Sequence, residues 1–199
     1  MTKKTLTKTA HFLYEIGTMR KIARAHRQTL LTDDLSDNIS SHSYRVAWIG
    51  WLLAKEEGVD PYKVLLMCLS HDISEIRSGD QNWVHKKYVK VFEDEISKNQ
   101  VKNLIGEDEL EEVIKEYDIR ESKEAKIAKD ADLIDQILLL KEYEWVGNKE
   151  AKDWLGENKG KGNMQYKLLS SKSAKRLATE ILKQRPSDWW QSVWTEKRR

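Results

Sequence analysis

His71 and Asp72 stand side by side at the end of an apolar helical run, residues 65–69. Helical spacing places both side chains on or beside the face of that helix that should be buried. A carboxylate in such a position is costly unless a cation or several hydrogen-bond donors satisfy it. One metal ion would satisfy the imidazole and the carboxylate together. The doublet therefore predicts a metal site, provided that other parts of the chain supply further ligands.

Two other predicted helices carry candidate ligands. His42 is in line with the apolar stripe of the helix predicted over residues 40–57. Three aspartates interrupt the apolar positions of a later helix, and spacing alone does not choose among them: Asp130, Asp132 and Asp135. Imidazole and carboxylate groups together suit a borderline to hard divalent ion. Such an ion lowers the pKa of a bound water and makes hydroxide available near neutral pH. The other interpretation is a packed core histidine with aspartates that cap or pair locally.

The composition favours one helical domain without a nucleic-acid partner. The 199 residues include two prolines, nine glycines and almost no strand-like alternation, which predicts an all-α fold, a single helical bundle over residues 1–199. Lys plus Arg is 35 and Asp plus Glu is 33, so there is no overall basic field. Cys68, the only cysteine, is expected to pack as a small hydrophobe. No stretch approaches the ~20 apolar residues of a membrane span, and a cytoplasmic protein is the default expectation.

Hydrophobic periodicity predicts the helices, and glycine and proline mark where they end. The expected helices cover residues 6–26, 40–57, 61–77, 84–103, 107–117, 122–145 and 164–184. The apolar side of the fourth is expected to be Val84, Tyr88, Val91, Phe92 and Ile96. Residues 148–163 are expected to form a mobile surface excursion around Trp154. The tryptophans of the tail either fold onto the core or anchor a partner: Trp189, Trp190 and Trp194.

Five short motifs, in this order, resemble the HD-domain metal-dependent phosphohydrolases, and within them the bacterial 5′-deoxynucleotidase branch. They are Ser41-His42-Ser43, His71-Asp72-Ile73-Ser74-Glu75, Gly79-Asp80, Glu116-Tyr117 and Lys129-Asp130-Ala131-Asp132. The likeness covers about residues 10–145 and leaves a C-terminal helical extension of about 164–196. The resemblance implies metal ligands at His42, His71, Asp72 and Asp132. Only His85 lies between the doublet and the last aspartate, which favours one metal ion of uncertain identity: Mn, Co, Mg, Fe or Zn.

The resemblance also implies residues that handle the substrate. An arginine upstream of the first histidine grips the phosphate, and counting back along the loop gives Arg27, with Arg20 and Arg24 as competitors. Gln28 then stands on the sugar side, where the family has a tryptophan, so selection against ribonucleotides is in doubt. Glu75 orients or deprotonates the water, and Asp80 handles the leaving 5′ oxygen or the sugar. Without the resemblance, Glu75 reads as a cap and Asp80 as a turn residue.

These residues predict an enzyme that releases phosphate from a small phosphomonoester, most simply a (deoxy)nucleoside 5′-monophosphate. One alternative is a nucleotide di- or triphosphohydrolase on the same fold, which needs more cations; the candidates are Lys86, Lys87, Lys90 and Arg45. A second alternative is a non-catalytic helical interaction module with a Trp-rich C-terminal interface. A homodimer is expected, and no membrane or nucleic-acid partner.

Overall fold

The computed structural model describes residues 2–156 and 163–193, and these residues form an all-helical bundle, which confirms the predicted fold class. Short 3-10 turns at Met19–Lys21 and Asp188–Trp190 accompany the helices. The helices are α1 (Lys3–Ile16), α2 (Arg27–Leu30), α3 (Ile39–Glu57), α4 (Pro61–Ser70), α5 (Glu75–Ser78), α6 (Trp83–Tyr88), α7 (Glu93–Val101), α8 (Glu107–Ile119), α9 (Lys123–Trp145), α10 (Lys149–Trp154), α11 (Met164–Leu168) and α12 (Lys172–Lys183).

Helices α3, α4 and α9 pack against one another around the main apolar core. Gly50 allows α3 to approach α4 closely, because a Cβ at this position would lie 2.5 Å from the Sγ atom of Cys68. Cys68 is fully buried, and burial raises the pKa of its thiol, so it packs as a small hydrophobe. This close packing brings the start of α3, which carries His42, beside the end of α4, which precedes His71.

The ends of the central helices follow their capping residues. Asn38 begins α3 with a capping box, since its side chain accepts from the Ser41 amide and the Ser41 hydroxyl accepts from the Asn38 amide. The sequence predicted this helix over residues 40–57, so it starts slightly earlier than expected. Gly58 ends α3 with a φ of 70°, and Asp60 caps α4. These signals are local, which is why these ends were predictable.

The helix predicted over residues 6–26 is wrong beyond Ile16. Helix α1 ends at Gly17, and the chain then pairs with a distant loop instead of continuing as a helix. Ala23 forms an isolated antiparallel bridge with Asn38, and the Arg24 amide donates to the carbonyl of Asp37 at 3.1 Å. This pairing holds Arg24 beside the loop before α3, and the chain then turns at Ala25 and His26 before α2 begins.

The helix predicted over residues 84–103 is two helices, α6 and α7, and its apolar side was assigned wrongly. Tyr88 and Phe92 are exposed, and Lys87 and Lys90 lie over their rings. The face of α7 that packs inward carries Ser97, Gln100 and Val101. Gln100 is buried because its amide donates to the Ile73 carbonyl and to Glu15, each at 2.9 Å. A hydrophobicity pattern cannot find such a polar contact.

Part of the predicted surface excursion around Trp154 is packed structure. Helix α10 contacts α9 and α2, and Ala151 and Leu155 lie in a second apolar cluster with Leu30 and Leu140. The expectation of a mobile surface segment is therefore wrong for residues 149–155. The remainder of that segment, residues 157–162, lies outside the described residues.

The helix predicted over residues 164–184 is interrupted between α11 and α12. Asp130 of α9 is 1% exposed and accepts three hydrogen bonds at the interruption: from the amides of Ser170 and Ser171 at 2.8 Å, and from the Ser170 hydroxyl at 3.0 Å. Ser171 caps α12. The buried carboxylate thus docks the start of α12 against α9, and this is why the chain does not continue as one helix.

Trp189 and Trp190 of the tail do not enter the core. Trp189 is 73% exposed and Trp190 is 51% exposed, with their rings 5.0 Å apart. The expectation that they fold onto the core is therefore wrong for these two residues, and Trp194 lies outside the described residues. None of the described helices combines the length and the apolar character that crossing a bilayer requires.

Substituting Asp130 tests its structural role. Asp130→Ala leaves the Ser170 and Ser171 amides without their acceptor, and we expect a loss of about 2 to 3 kcal/mol in the free energy of unfolding, measured by urea denaturation. Asp130→Asn keeps one side-chain oxygen and should lose less. An Asp130→Ala protein that unfolds at the wild-type urea concentration would show that the carboxylate does not hold α12 in place.

Candidate metal centre

Two histidines and one aspartate converge at the junction of α3 and α4. The Nε2 atoms of His42 and His71 are 3.3 Å apart. The Oδ2 atom of Asp72 lies 3.1 Å from His71 Nε2 and 3.4 Å from His42 Nε2. One ligand atom from each of the three side chains lies within 4.8 Å of the others, which is the spacing that a shared metal ion requires.

The three aspartates of α9 have three different environments. Asp132 faces the cluster, with Oδ1 3.4 Å from His42 Nε2, while its Oδ2 accepts from Lys129 at 2.6 Å. Asp130 faces the opposite way and docks α12, as described above. Asp135 lies behind His42 and contacts the other nitrogen of its ring. The geometry therefore distinguishes residues that the sequence pattern left equivalent.

Each imidazole is oriented by an acceptor on its Nδ1 side. His71 Nδ1 donates to the carbonyl of Cys68 at 2.8 Å, and the ring of Tyr117 packs 5.3 Å from the His71 ring. His42 Nδ1 donates to Asp135 Oδ2 at 2.7 Å. These contacts direct both Nε2 atoms toward the same point, as in metal sites whose histidines are held by outer acceptors. Geometry of this kind fits a divalent ion.

The position of His71 depends on where α4 ends. The sequence predicted one helix over residues 61–77, but α4 stops at Ser70 and His71 is the capping residue. The chain then turns before α5 begins at Glu75. The turn places His71, Asp72 and Glu75 around one cavity instead of along one helix face.

The charges of the site also fit a cation. Burial disfavours ionisation of Asp72, yet His71 and His42 outweigh it and hold the pKa of this carboxyl well below its usual range. Burial likewise opposes ionisation of Asp132, but Lys129 and the two histidines lower its pKa. Burial and Arg24 oppose protonation of His42, whereas Asp135 and Asp72 raise its pKa to about 9. A metal bound at Nε2 of His42 would replace that proton.

Asp135 belongs to a network that the sequence did not reveal. The Arg45 guanidinium pairs with Asp135 Oδ1 through Nε and with Glu142 Oε1 through Nη1 at 2.6 Å. Burial and the His42 hydrogen bond act in opposite directions on Asp135, and its pKa is lowered overall. Arg45 had been considered as a contact for extra phosphates, but it is engaged behind His42. A histidine and an acid 93 residues apart give no local signal.

Arg24, and not Arg27, is the arginine beside the metal cluster. Its Nη1 donates to Asp72 Oδ2 at 3.2 Å, and its Nε lies 3.4 Å from Asp80 Oδ2. The Arg24 side chain is 12% exposed; burial opposes its charge, but Asp72 and Asp80 raise its pKa. Asp80 also accepts from the amide of Ala25 at 2.6 Å. Asp80 therefore fixes both the guanidinium and the backbone that carries it.

Arg27 and Gln28 lie away from the cluster. Arg27 Nη2 is 3.7 Å from Asp33, whose carboxylate is fully exposed, and Arg27 does not line the cavity of the site. Gln28 is exposed, and its Oε1 accepts from Asn82 at 3.0 Å near the cavity rim. Counting along the loop selected Arg27 and Gln28. The bridge between Ala23 and Asn38 instead places Arg24 at the cavity.

Glu75 faces the same cavity with a buried oxygen, Oε2, that has no hydrogen-bond partner among the described residues. Burial, together with the carboxylates of Asp72 and Asp80, raises its pKa to about 10. A buried carboxyl with a raised pKa beside other carboxyl groups is an arrangement typical of acid–base groups. The cavity itself measures about 250 Å³, and four cations line it: Arg24, Lys86, Arg120 and Lys129.

Comparison with known proteins identifies the family. The HD domain family model matches residues 18–173, and the chain belongs to this family. It is an HD-type phosphohydrolase. The similar proteins include 5′-deoxynucleotidase HDDC2 of Homo sapiens, 29% identical over 178 residues, which cover 83% of this chain and 84% of that protein. The Dictyostelium discoideum protein of the same name is 32% identical over 124 residues, which are 56% of this chain and 65% of that protein.

Solved structures share the fold. A conserved hypothetical protein from Pyrococcus furiosus superposes with a TM-score of 0.66 and 25% identity, covering 88% of this chain and 99% of that chain. A "predicted metal-dependent phosphohydrolase" from Magnetospirillum magnetotacticum also has a TM-score of 0.66, with 24% identity over 90% of this chain and 91% of that chain. The helical bundle is therefore an established architecture.

The contact between Asp135 and His42 can be tested by metal binding. We expect Asp135→Ala to weaken the affinity for Mn²⁺ or Co²⁺ by about 10- to 100-fold, since His42 loses the acceptor that orients its ring. Isothermal titration of the metal-free protein measures this directly. Glu142→Gln is the matched control, because Glu142 touches Arg45 but not His42, and it should bind metal nearly as the wild type does. Equal affinities for Asp135→Ala and the wild type would contradict this role.

Proposed function

We propose that this protein is a metal-dependent phosphomonoesterase that releases phosphate from (deoxy)nucleoside 5′-monophosphates. The observation that carries the proposal is the convergence of His42, His71 and Asp72 beside a buried arginine. His71, Asp72 and that arginine, Arg24, line one polar cavity. Relatives described as 5′-deoxynucleotidases support a nucleotide as the substrate.

One divalent ion would be held by His42, His71, Asp72 and Asp132. When bound, such an ion supplies Lewis-acid activation of water and partial neutralisation of the phosphate charge. Within the described residues, His85 does not join the cluster, which favours a single ion. Asp132 contributes Oδ1, while Lys129 holds its other oxygen and thereby fixes the carboxylate plane.

Arg24 takes the role that the sequence assigned to Arg27. Its guanidinium is fixed from two sides, by Asp72 and by Asp80, and it lines the cavity. A planar fork of donors suits two oxygens of a phosphate group, and prior fixation reduces the entropy lost on binding. If the family's rule that a tryptophan follows this arginine is applied to Arg24, the residue at that place is Ala25. A small side chain there leaves selection by the sugar hydroxyl to other residues.

Glu75 and Asp80 are assigned different tasks. Glu75 is the acid–base group, because its buried carboxyl has a raised pKa and an unpartnered oxygen that faces the cavity. It can take up or return a proton as charge changes at the phosphate. Asp80 was expected to act on the leaving oxygen; its contacts with Arg24 and with the Ala25 amide favour a role in positioning the arginine.

The alternative of a di- or triphosphohydrolase has weaker support. Of the cations suggested for extra phosphates, only Lys86 lines the cavity. Lys87 and Lys90 lie over the rings of Tyr88 and Phe92, and Arg45 is bound to Asp135. The products distinguish the two functions, because a monophosphatase releases phosphate whereas the alternatives release pyrophosphate or triphosphate.

A homodimer and a cytoplasmic location stay predictions. The exposed Trp189 and Trp190 are the feature that the interaction-module hypothesis relies on. Deleting the residues after Gln184 addresses it: a lost dimer with an intact fold would support an interface at the tail. Retained phosphatase activity in that variant would separate the interface from the active site.

The metal ligands can be tested by a screen of phosphorylated metabolites with Mn, Co, Mg, Fe and Zn, reading free phosphate. We expect nucleoside 5′-monophosphates to be hydrolysed and chelation to stop the reaction. Asp72→Ala should lose both bound metal and phosphate release, because the cluster loses a charged ligand. Asp33→Ala, which removes an exposed carboxylate outside the cavity, should behave as the wild type does. Full turnover by Asp72→Ala would refute the proposal.

The two arginines give a matched pair for the phosphate site. We expect Arg24→Ala to lower kcat/KM for the best monophosphate by about 100-fold or more, since a preorganised donor to the phosphate is lost. Arg27→Ala should stay close to the wild type. Steady-state kinetics with saturating metal provide the comparison. The reverse order, with Arg27→Ala the more damaging change, would restore the assignment made from the sequence.

A further inference from the structure

An indole stands at the rim of the polar cavity. Trp83 lines the cavity with its side chain 56% exposed. Its backbone position is fixed, because Asn82 caps α6 by accepting from the amides of Val84 at 3.0 Å and His85 at 3.1 Å. Asn82 also donates to the carbonyl of Ala25 at 3.0 Å. Trp83 is therefore tied to the same segment of chain that carries Arg24.

A second tryptophan supports the first from outside the cavity. The ring of Trp154, on α10, lies 4.8 Å from the ring of Trp83 at an angle of 53°. Trp154 is partly buried and packs against the cluster that anchors α10 to α9. An aromatic ring held in this way loses little freedom when a ligand stacks on it. The pair thus presents a fixed apolar surface at the edge of a charged cavity.

Gln136 lines the same cavity as His71, Asp72 and Asp132. It is one helical turn after Asp132 on α9, so both side chains face the cavity. Within residues 2–156 and 163–193, the Gln136 amide makes no hydrogen bond. A side-chain amide without a hydrogen bond to the protein can offer both a donor and an acceptor to a ligand. Its neighbours along α9 in the cavity are engaged, since Lys129 and Asp132 pair with each other.

Few tryptophan, tyrosine or phenylalanine side chains line this cavity. Among its described lining residues the other aromatic side chain is Tyr117, which is 5% exposed and packs on His71. The remaining lining is mainly charged or polar and suits the phosphate end of a substrate. A flat heteroaromatic ring gains most from a stacking surface with a nearby amide for its polar edge.

We infer that Trp83, supported by Trp154, is a stacking platform for the nucleobase of the substrate, and that Gln136 hydrogen-bonds the nucleoside. This inference rests on the proposed function, because it assumes a nucleoside monophosphate. It adds a specificity site that is separate from the metal cluster and from Arg24. The phosphate binds at the cluster, and the base lies toward the rim formed by α6 and α10.

The kinetic test compares a nucleotide with the same sugar phosphate without a base. For Trp83→Ala we expect the KM of deoxyadenosine 5′-monophosphate to rise by about tenfold or more, and the kinetics of 2-deoxyribose 5-phosphate to stay within about twofold. Trp83→Phe should retain most of the affinity. Trp48→Ala is the control, since Trp48 is 54% exposed but lies on α3, outside the lining of this cavity, with its ring edge-on to that of Trp51. Gln136→Leu should change the preference among bases by several-fold.

A binding measurement separates this inference from the proposed function. Saturation-transfer NMR with deoxyadenosine 5′-monophosphate in the presence of EDTA reads contact with the base without turnover. We expect strong transfer to the adenine protons in the wild type and its loss in Trp83→Ala. Equal transfer in both proteins, or equal KM increases for the nucleotide and the sugar phosphate, would overturn the inference. A wild type that hydrolyses no nucleotide would instead overturn the proposed function, while the NMR result still decides the role of Trp83.

Discussion

Two imidazole nitrogens, His42 Nε2 and His71 Nε2, lie 3.3 Å apart where three helices meet, with the carboxylates of Asp72 and Asp132 beside them. Such a concentration of polar groups is unfavourable inside a helical bundle unless each group has a partner and the common centre holds a cation. The helices around the two imidazoles pack so that these polar groups gain the partners they need. The close approach of α3 to α4 at Gly50 brings the two imidazoles together.

The outer partners come from several helices, which ties the site to the fold. The Cys68 carbonyl at the end of α4 orients His71, and Asp135 on α9 orients His42. The Arg45 guanidinium, on α3, then holds Asp135 from the far side. Helix α9 thus contributes a docking residue, a cluster residue and an orienting residue within six positions. Its long, continuous course through the core explains how one helix serves all three purposes.

The site residues that could be predicted from the sequence were polar residues at helix positions where the amphipathic pattern calls for apolar ones. His42, His71 and Asp72 were recognisable because they occupy positions that should be apolar. The end of α3 near residue 57 and the start of α4 near residue 61 were predictable because the signals at helix ends are local. Helical spacing could not separate the α9 aspartates, since the contact that distinguishes each one is with a residue far away in the chain. These contacts are with Ser170 for Asp130 and with His42 for Asp132 and Asp135.

Other features depended on contacts that no periodicity records. The choice between Arg24 and Arg27 follows from a backbone bridge between Ala23 and Asn38, which counting along the loop cannot detect. The inward face of α7 is polar because Gln100 bonds to the Ile73 carbonyl. The break before α12 arises from a carboxylate 40 residues earlier. Tertiary hydrogen bonds therefore account for most differences between expectation and structure.

The proposed metal centre is one divalent ion that joins His42, His71, Asp72 and Asp132. Crystals of the protein grown with Mn²⁺, measured at the manganese absorption edge, test it most directly through the anomalous difference map. We expect one strong peak bonded to Nε2 of both histidines and to the carboxylate of Asp72. A map with its strong peak elsewhere, for example among the acidic side chains of α7 and α8, or with no peak at the two imidazoles, would contradict it.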